Sequence, residues 1–179
     1  MKIVVIALLS IALLAGVIPE IHRYQAEHDL YFATALFESM LHGQVPEAQR
    51  EAAFEAAKES ASRAADGLPG DSRPLILAGS LRLYAQQPAE ARDIYEMALA
   101  DGERAEIDLN LGRAYEMLRN REAASAAILR AAWVNPPIVE SLPENVSALV
   151  HEAVVKDVEL LRQGRLAAPP PLPASNSTP

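Results

Sequence analysis

The chain has 179 residues, enough for one domain with terminal extensions, and 24 acidic against 16 basic residues give it a net charge of −8. This acidic balance argues against a nucleic-acid function, because binding to phosphate requires clustered Lys and Arg. The absence of cysteine excludes disulfides, thiolate metal sites and a cysteine nucleophile. Apolar residues make up 50% of the chain but aromatic residues only 5%, and the abundance of alanine favours closely packed helices over a sheet.

An uncharged apolar segment, residues 3–18, follows Lys2 at the start of the sequence. Its length lies between that of a signal-peptide core and that of a membrane-spanning helix. No small-x-small cleavage site follows it, which favours an uncleaved anchor in residues 1–19; a cleaved signal peptide is the alternative. The first interpretation predicts a single-pass inner-membrane protein with its N-terminus inside and a periplasmic domain. The second predicts secretion to the periplasm.

Beyond this segment the spacing of apolar residues predicts helices throughout. Residues 20–71 are predicted to form a degenerate helical hairpin, and residues 72–138 two repeats. Residues 139–166 are predicted to form a proline-containing linker and a C-terminal capping helix. Residues 167–179 carry five prolines and no charge, which predicts a disordered tail.

Two parts of the chain match when one is shifted by 33 residues, so that Gly79 aligns with Gly112 and Tyr95 with Ile128. A fixed period of this length is typical of stacked repeats, each made here of two helices and a short turn. We expect the small residues to let two backbones approach closely while the large residues fill the space beside them. Asn120 lies in the second turn and tolerates a left-handed backbone. The predicted repeat-packing residues are Gly79, Ala91, Tyr95, Ala98, Leu111, Gly112, Tyr115, Ala124, Ile128, Ala131 and Pro136.

The order of small and large residues over 105–138 resembles the tetratricopeptide repeat family. The residues that occupy signature positions are Leu111, Gly112, Tyr115, Ala124, Ala131 and Pro136. Residues 72–104 match in part, and they depart from the family at Arg82, where the family prefers Tyr. The resemblance implies an all-α fold of stacked antiparallel helix hairpins, an α-solenoid, here with an N-terminal hydrophobic helix and a C-terminal capping helix.

The resemblance also implies a binding surface, because in this family the first helix of each repeat lines a concave face on which peptides bind. The residues that match those positions are Arg73, Ile76, Ser80, Leu83, Tyr84, Glu106, Leu109, Arg113, Glu116 and Met117.

We find no residue pattern that predicts catalysis, a metal site or a cofactor. The segment that begins at His151 resembles the start of a zinc-protease helix, but Val155 stands where the second histidine is required. The acidic residues recur at helical spacing, which is typical of a solvated helix face.

The sequence therefore predicts a non-catalytic, membrane-tethered periplasmic scaffold that binds protein partners, such as subunits of an envelope or membrane complex, and contacts the membrane through residues 3–18. Two alternatives are an accessory structural subunit of a membrane enzyme complex and a chaperone-like periplasmic binder of unfolded chains. Binding of nucleic acid is not expected.

Overall fold

The computed structural model describes the backbone of residues 2–166 and the side chains of residues 17–166, and this part of the chain is all-α, with no strand. Its helices are α1 (Lys2–Leu41), α2 (Arg50–Gly67), α3 (Ser72–Tyr84), α4 (Pro88–Ala100), α5 (Ala105–Met117), α6 (Arg121–Val134) and α7 (Glu144–Arg162). Short 3-10 helices cover Glu47–Gln49 and Pro136–Ser141. The prediction of an all-α fold is confirmed for the residues that the structure describes.

The chain forms two compact units, of which one extends to Leu77 and the other begins at Ala78. The boundary lies within α3, whereas the sequence predicted that one structural region ends at residue 71 and the next begins at residue 72. Each unit has its own buried residues. The predicted disordered tail, residues 167–179, lies outside the residues that the structure describes.

In the first unit α1 packs against α2 through small side chains. The buried apolar residues of the two helices are Ala26, Leu30, Ala33, Met40, Ala57, Ala61 and Ala64. Gly67 at the end of α2 is so close to α1 that a Cβ atom on it would overlap the Cβ atom of Ala26. Alanine and glycine at these positions therefore set a short distance between the two helices, and larger side chains would force them apart.

An ion pair joins the same two helices at the edge of this interface. Arg63 of α2 donates to both carboxylate oxygens of Asp29 of α1, over 2.9 and 3.1 Å. These hydrogen bonds lower the pKa of Asp29. The pair is bidentate, a geometry that fixes orientation as well as charge. Because the Arg63 side chain is about half exposed, we expect the pair to contribute little to stability.

The second unit is built around α5, which packs against both α4 and α6. The face of α5 toward the core is almost completely buried, and the helix carries the largest set of buried residues among the described elements. Gly79 of α3 and Tyr95 of α4 make a further contact in this unit. The core here again uses alanine at the points of closest approach, with Leu81, Tyr95, Ile107 and Leu111 filling the remaining volume.

The segment after α6 packs on the second unit. The helix ends at Val134, and Pro136, which has no amide hydrogen, begins a 3-10 helix. Three residues of this segment and α7 lie against the buried cluster of Ala105, Leu109, Ile128 and Ala131; they are Ile138, Leu142 and Val150. The stretch predicted as a linker is therefore part of the packed structure, because its apolar residues cover one end of the helix pair.

The predicted single-pass placement in the inner membrane is wrong for the chain as the structure describes it. Among the described residues, every helix falls short of the length or the hydropathy that crossing a bilayer requires. The side chains of residues 1–16, which make up most of the predicted apolar segment, lie outside the described residues.

Candidate interaction surface

The two glycines that align at a shift of 33 make equivalent contacts. A Cβ atom on Gly79 would lie 2.6 Å from ring atoms of Tyr95, and one on Gly112 would lie 2.7 Å from Cγ1 of Ile128. Tyr95 and Ile128 are themselves separated by the same 33 residues. The periodicity in the sequence thus corresponds to a repeated contact between the first and second helices of each pair.

The turns of the two pairs repeat as closely as the helix contacts. Gln86 and Arg119 both adopt a left-handed backbone, with φ of 59° and 62°. After them, the amide of Gln87 donates to the carbonyl of Arg82 and the amide of Asn120 to that of Tyr115, each over 2.9 Å. This is the Schellman pattern that ends a helix. The chain is therefore helical-repeat-like, and the likeness between its two helix pairs extends to the backbone hydrogen bonds of their turns.

The sequence predicted that Asn120 would be the left-handed residue of the second turn. In the structure that residue is Arg119. Asn120 has φ of −89° and serves as the N-cap of α6, where its side-chain oxygen accepts a hydrogen bond from the amide of Ala123 over 3.2 Å. A side-chain oxygen at the N-cap satisfies an amide that has no partner within the helix.

The predicted packing residues and the predicted binding residues occupy different environments. Every predicted packing residue is buried except Pro136, which is exposed. Of the predicted binding residues, Arg73 and Ile76 belong to the first unit and the other eight to the second.

Several predicted binding residues take part in internal contacts. Arg73 pairs with Glu27 over 2.8 Å and with Asp71 over 2.5 Å. Ser80 lies 3.0 Å from the hydroxyl of Tyr95. Burial raises the pKa of Tyr95 to about 12, although the contact with Ser80 opposes the shift. Arg73 and Ser80 thus make contacts within their own units.

The prediction places Leu109 on an open binding surface. In the structure Leu109 is instead buried in the core of the second unit and is not available to a partner. The residues Ile138 and Val150, which follow α6 in the chain, pack against the cluster that contains it.

The outward face of α5 remains accessible. The residues Glu106, Asn110, Arg113 and Met117 follow one another at steps of four, three and four, which places them on one stripe of the helix. Glu106, Arg113 and Met117 are exposed, and Asn110 accepts a hydrogen bond from Arg113 over 2.8 Å. The sequence interpretation missed Asn110, although its spacing from Glu106 and Arg113 indicates the same face. We call these four residues, with the neighbouring Glu116, the α5 face.

A buried carboxylate lies elsewhere on α5. Asp108 is fully buried, and neither of its oxygens has a hydrogen-bond partner among the described residues. Desolvation and the nearby charge of Glu103 raise the pKa of Asp108 to about 7, while Arg130 acts in the opposite direction. Arg130 itself donates to Glu103 over 2.6 Å. At a shift of 33, Asp108 aligns with the apolar Leu75, so the carboxylate is a departure within the repeat.

Two grooves on the surface are shallow and open. One lies in the first unit and includes Leu36, Val45 and Pro46. The other lies in the second unit and includes Pro136, Glu140 and His151. Within the described residues, no group of three or more His, Asp or Glu side chains is arranged to hold a metal ion.

Comparison of the chain with models of known protein families, with curated protein sequences and with solved structures gave no match.

Proposed function

We propose that the chain is a non-catalytic scaffold whose helix pairs α3–α4 and α5–α6 are consecutive repeats of a tetratricopeptide-like solenoid, and that it binds a partner protein through the α5 face. The repeated contacts of Gly79 with Tyr95 and of Gly112 with Ile128 support the repeat assignment. Repeats of this kind use their helices to present an extended surface to a partner.

The observation that supports the binding role is the contrast between the two faces of α5. One face is buried against α4 and α6. The α5 face instead exposes two opposite charges, Arg113 and Glu116, beside the thioether of Met117. Methionine and arginine are enriched at the centres of protein interfaces, since a flexible apolar group and a planar cation adapt to many partners. The partner is expected to be a protein segment with an apolar side chain for Met117, an acidic one for Arg113 and a basic one for the glutamates.

Site-specific photocrosslinking tests this role. A photoreactive amino acid at position 117 should form one dominant crosslinked species in cells, which mass spectrometry identifies. The same amino acid at Ser125, an exposed position of α6, serves as the matched control. Equal crosslinking at both positions would show that the α5 face has no preferred partner.

Binding measurements with the purified partner then test individual residues. Because interface anchors commonly contribute more than ~1.4 kcal/mol each, we expect Arg113→Glu and Met117→Ser each to weaken the affinity about tenfold or more. The melting temperature of each variant should be unchanged, since both side chains are exposed. Competition by a panel of unrelated unfolded peptides would contradict a specific scaffold and favour chaperone-like binding.

A further inference from the structure

The outward side of α1 carries large apolar side chains that lie open to solvent. Tyr24 and Tyr31 are each 74% exposed and Ile21 is 50% exposed. Val17 and Phe32 are also exposed. Single exposed apolar residues are common on proteins, but several large ones on one helix make that helix a candidate interaction site.

These residues form a stripe with a regular spacing. Positions 17, 21, 24, 28 and 31 follow one another at steps of four, three, four and three, with His28 at the fourth place. The residues that pack on α2, such as Ala26, Leu30 and Ala33, lie on the opposite side of the helix. Steps that alternate between four and three residues average 3.5, which is the spacing of the contact residues when a second helix packs along the first. We call Val17, Ile21, Tyr24, His28 and Tyr31 the outer stripe.

The charges beside the outer stripe indicate which kind of helix fits. Glu20 and Glu27 lie seven residues apart on one edge, each directly before a stripe residue, whereas the other edge carries Gln25 and Phe32. Glu27 already pairs with Arg73. The exposed Arg23 lies between the two glutamates in sequence but further round the helix, away from the stripe, so Glu20 is the charge nearest to a partner. The whole segment 17–77 contains ten acidic and five basic residues. Its surroundings therefore favour a cationic partner.

A second copy of the chain fits this stripe poorly. In an antiparallel pair of α1 helices the edges that carry Glu20 and Glu27 would face each other, and like charges at such positions repel. In a parallel pair the same glutamates would face Gln25 and Phe32, which supply no cation. A helix with lysine or arginine beside its apolar residues removes both problems.

We propose that the outer stripe of α1 binds an amphipathic helix of another protein whose apolar residues are flanked by lysine or arginine. The tyrosine rings and Ile21 pack between the apolar residues of the partner, and its cations lie along the edge that carries Glu20. This surface belongs to the first unit and is independent of the α5 face, so either proposal can fail without the other.

Two synthetic helical peptides test the proposal. They share the same length and the same Leu and Ile stripe, and they differ only in carrying Lys or Glu beside that stripe. Fluorescence anisotropy with the full-length chain should show that the Lys peptide binds at least about tenfold more tightly than the Glu peptide, and that this difference shrinks at high salt. Glu20→Lys should reduce the preference.

Paired variants identify the surface. Tyr24→Ser combined with Tyr31→Ser should weaken binding of the Lys peptide about tenfold or more. Leu149→Ser combined with Val155→Ser, at exposed apolar positions of α7, should leave it unchanged. Circular dichroism checks that both double variants keep their helix content.

Four results would overturn the proposal. The first is equal binding of the two peptides, and the second is unchanged binding by the tyrosine double variant. The third is a wild-type dimer in light scattering that the same double variant converts to a monomer, which would make a second copy the occupant. The fourth is tyrosine-dependent binding to phosphatidylcholine–phosphatidylglycerol vesicles with no binding of the Lys peptide, which would make a lipid surface the occupant.

Discussion

The ring of Tyr95 occupies the space in which a side chain at position 79 would lie, and Gly79 is the residue that leaves this space open. Tyr95 is completely buried, and its hydroxyl lies 3.0 Å from Ser80. The ring is therefore bounded by Gly79 on one side and by Ser80 at its hydroxyl, and none of it reaches solvent. Ile128 occupies the equivalent space beside Gly112 thirty-three residues later, so one packing solution serves both helix pairs.

We expect Gly79→Ala to destabilise the protein even though alanine is the better helix former. Alanine favours the helix by about 1 kcal/mol over glycine. The added methyl group would meet a ring that cannot move freely, and overpacking of this kind costs about 1–3 kcal/mol. The net loss should be up to about 2 kcal/mol in urea denaturation, with an unchanged m-value.

A double-mutant cycle separates the clash from other effects of the substitution. In a Tyr95→Leu background the ring atoms near position 79 are missing, so Gly79→Ala should there be neutral or stabilising. An equal loss of stability in both backgrounds would mean that the ring is not the cause.

The repeat could be predicted from the sequence because close helix packing requires a regular pattern of small and large residues. A small residue in one helix requires a large one opposite it, and the shift of 33 aligned both members of each pair. The left-handed turn residue was predicted one position too late, since asparagine adopts this conformation more readily than arginine does. The structure instead uses the side chain of Asn120 as a cap.

The burial of Leu109 and Asp108 could not be predicted from the pattern of α5 alone. Leu109 is buried because the segment after α6 folds back over it, a contact between distant parts of the chain. Asp108 carries a charge, and a charged residue in an amphipathic helix is expected on the solvent side. Its environment depends on Arg130 and Glu103, which belong to other elements.

The two left-handed turn residues offer a route to higher stability. Gln86 and Arg119 have φ near +60°, a conformation that costs a residue with a side chain about 1–2 kcal/mol and glycine much less. We expect Gln86→Gly and Arg119→Gly each to raise the free energy of unfolding by about 0.5–1 kcal/mol, after the greater chain entropy of glycine in the unfolded state is subtracted. Thermal denaturation measures the change.

A glycine in regular helix should have the opposite effect. Glu116→Gly, on the exposed side of α5, is the control and should lower stability by about 1 kcal/mol. If Arg119→Gly lowered the stability as Glu116→Gly does, the left-handed backbone at this position would not be a source of strain.

The interface between α1 and α2 should reject large side chains. Ala57 is completely buried, and we expect Ala57→Leu to destabilise the protein by about 1–3 kcal/mol because the added atoms force the helices apart. Ala52→Leu, at an exposed position of the same helix, should change stability by less than about 0.5 kcal/mol. Denaturation in urea compares the two variants, and similar losses for both would contradict an interface set by small residues.

Asp108 should make the stability of the protein depend on pH near neutrality. Its pKa rises from 3.8 to about 7 on folding, so between these values the native state binds more protons than the unfolded state. Stability is therefore lost as pH rises from about 4 to about 7, and the loss is complete above that range. At ~1.4 kcal/mol for each unit of pKa shift, the contribution is at most about 4–5 kcal/mol. Replacement by leucine, the residue at the equivalent position 75, removes both the buried charge and its unpaired oxygens.

We expect Asp108→Leu to raise the melting temperature, by more at pH 8 than at pH 5, because the wild-type carboxylate is neutral at pH 5 and charged at pH 8. The charges that face Asp108 from the loop before α5 and from α6 are Glu103 and Arg130, and neither changes its charge over this range. Ser125→Leu, at an exposed position of α6 with no titratable group, should shift the melting temperature equally at both pH values. A stabilisation by Asp108→Leu that is the same at pH 5 and pH 8 would mean that position 108 gains only from apolar packing, and that its carboxylate is not titrating in the folded protein.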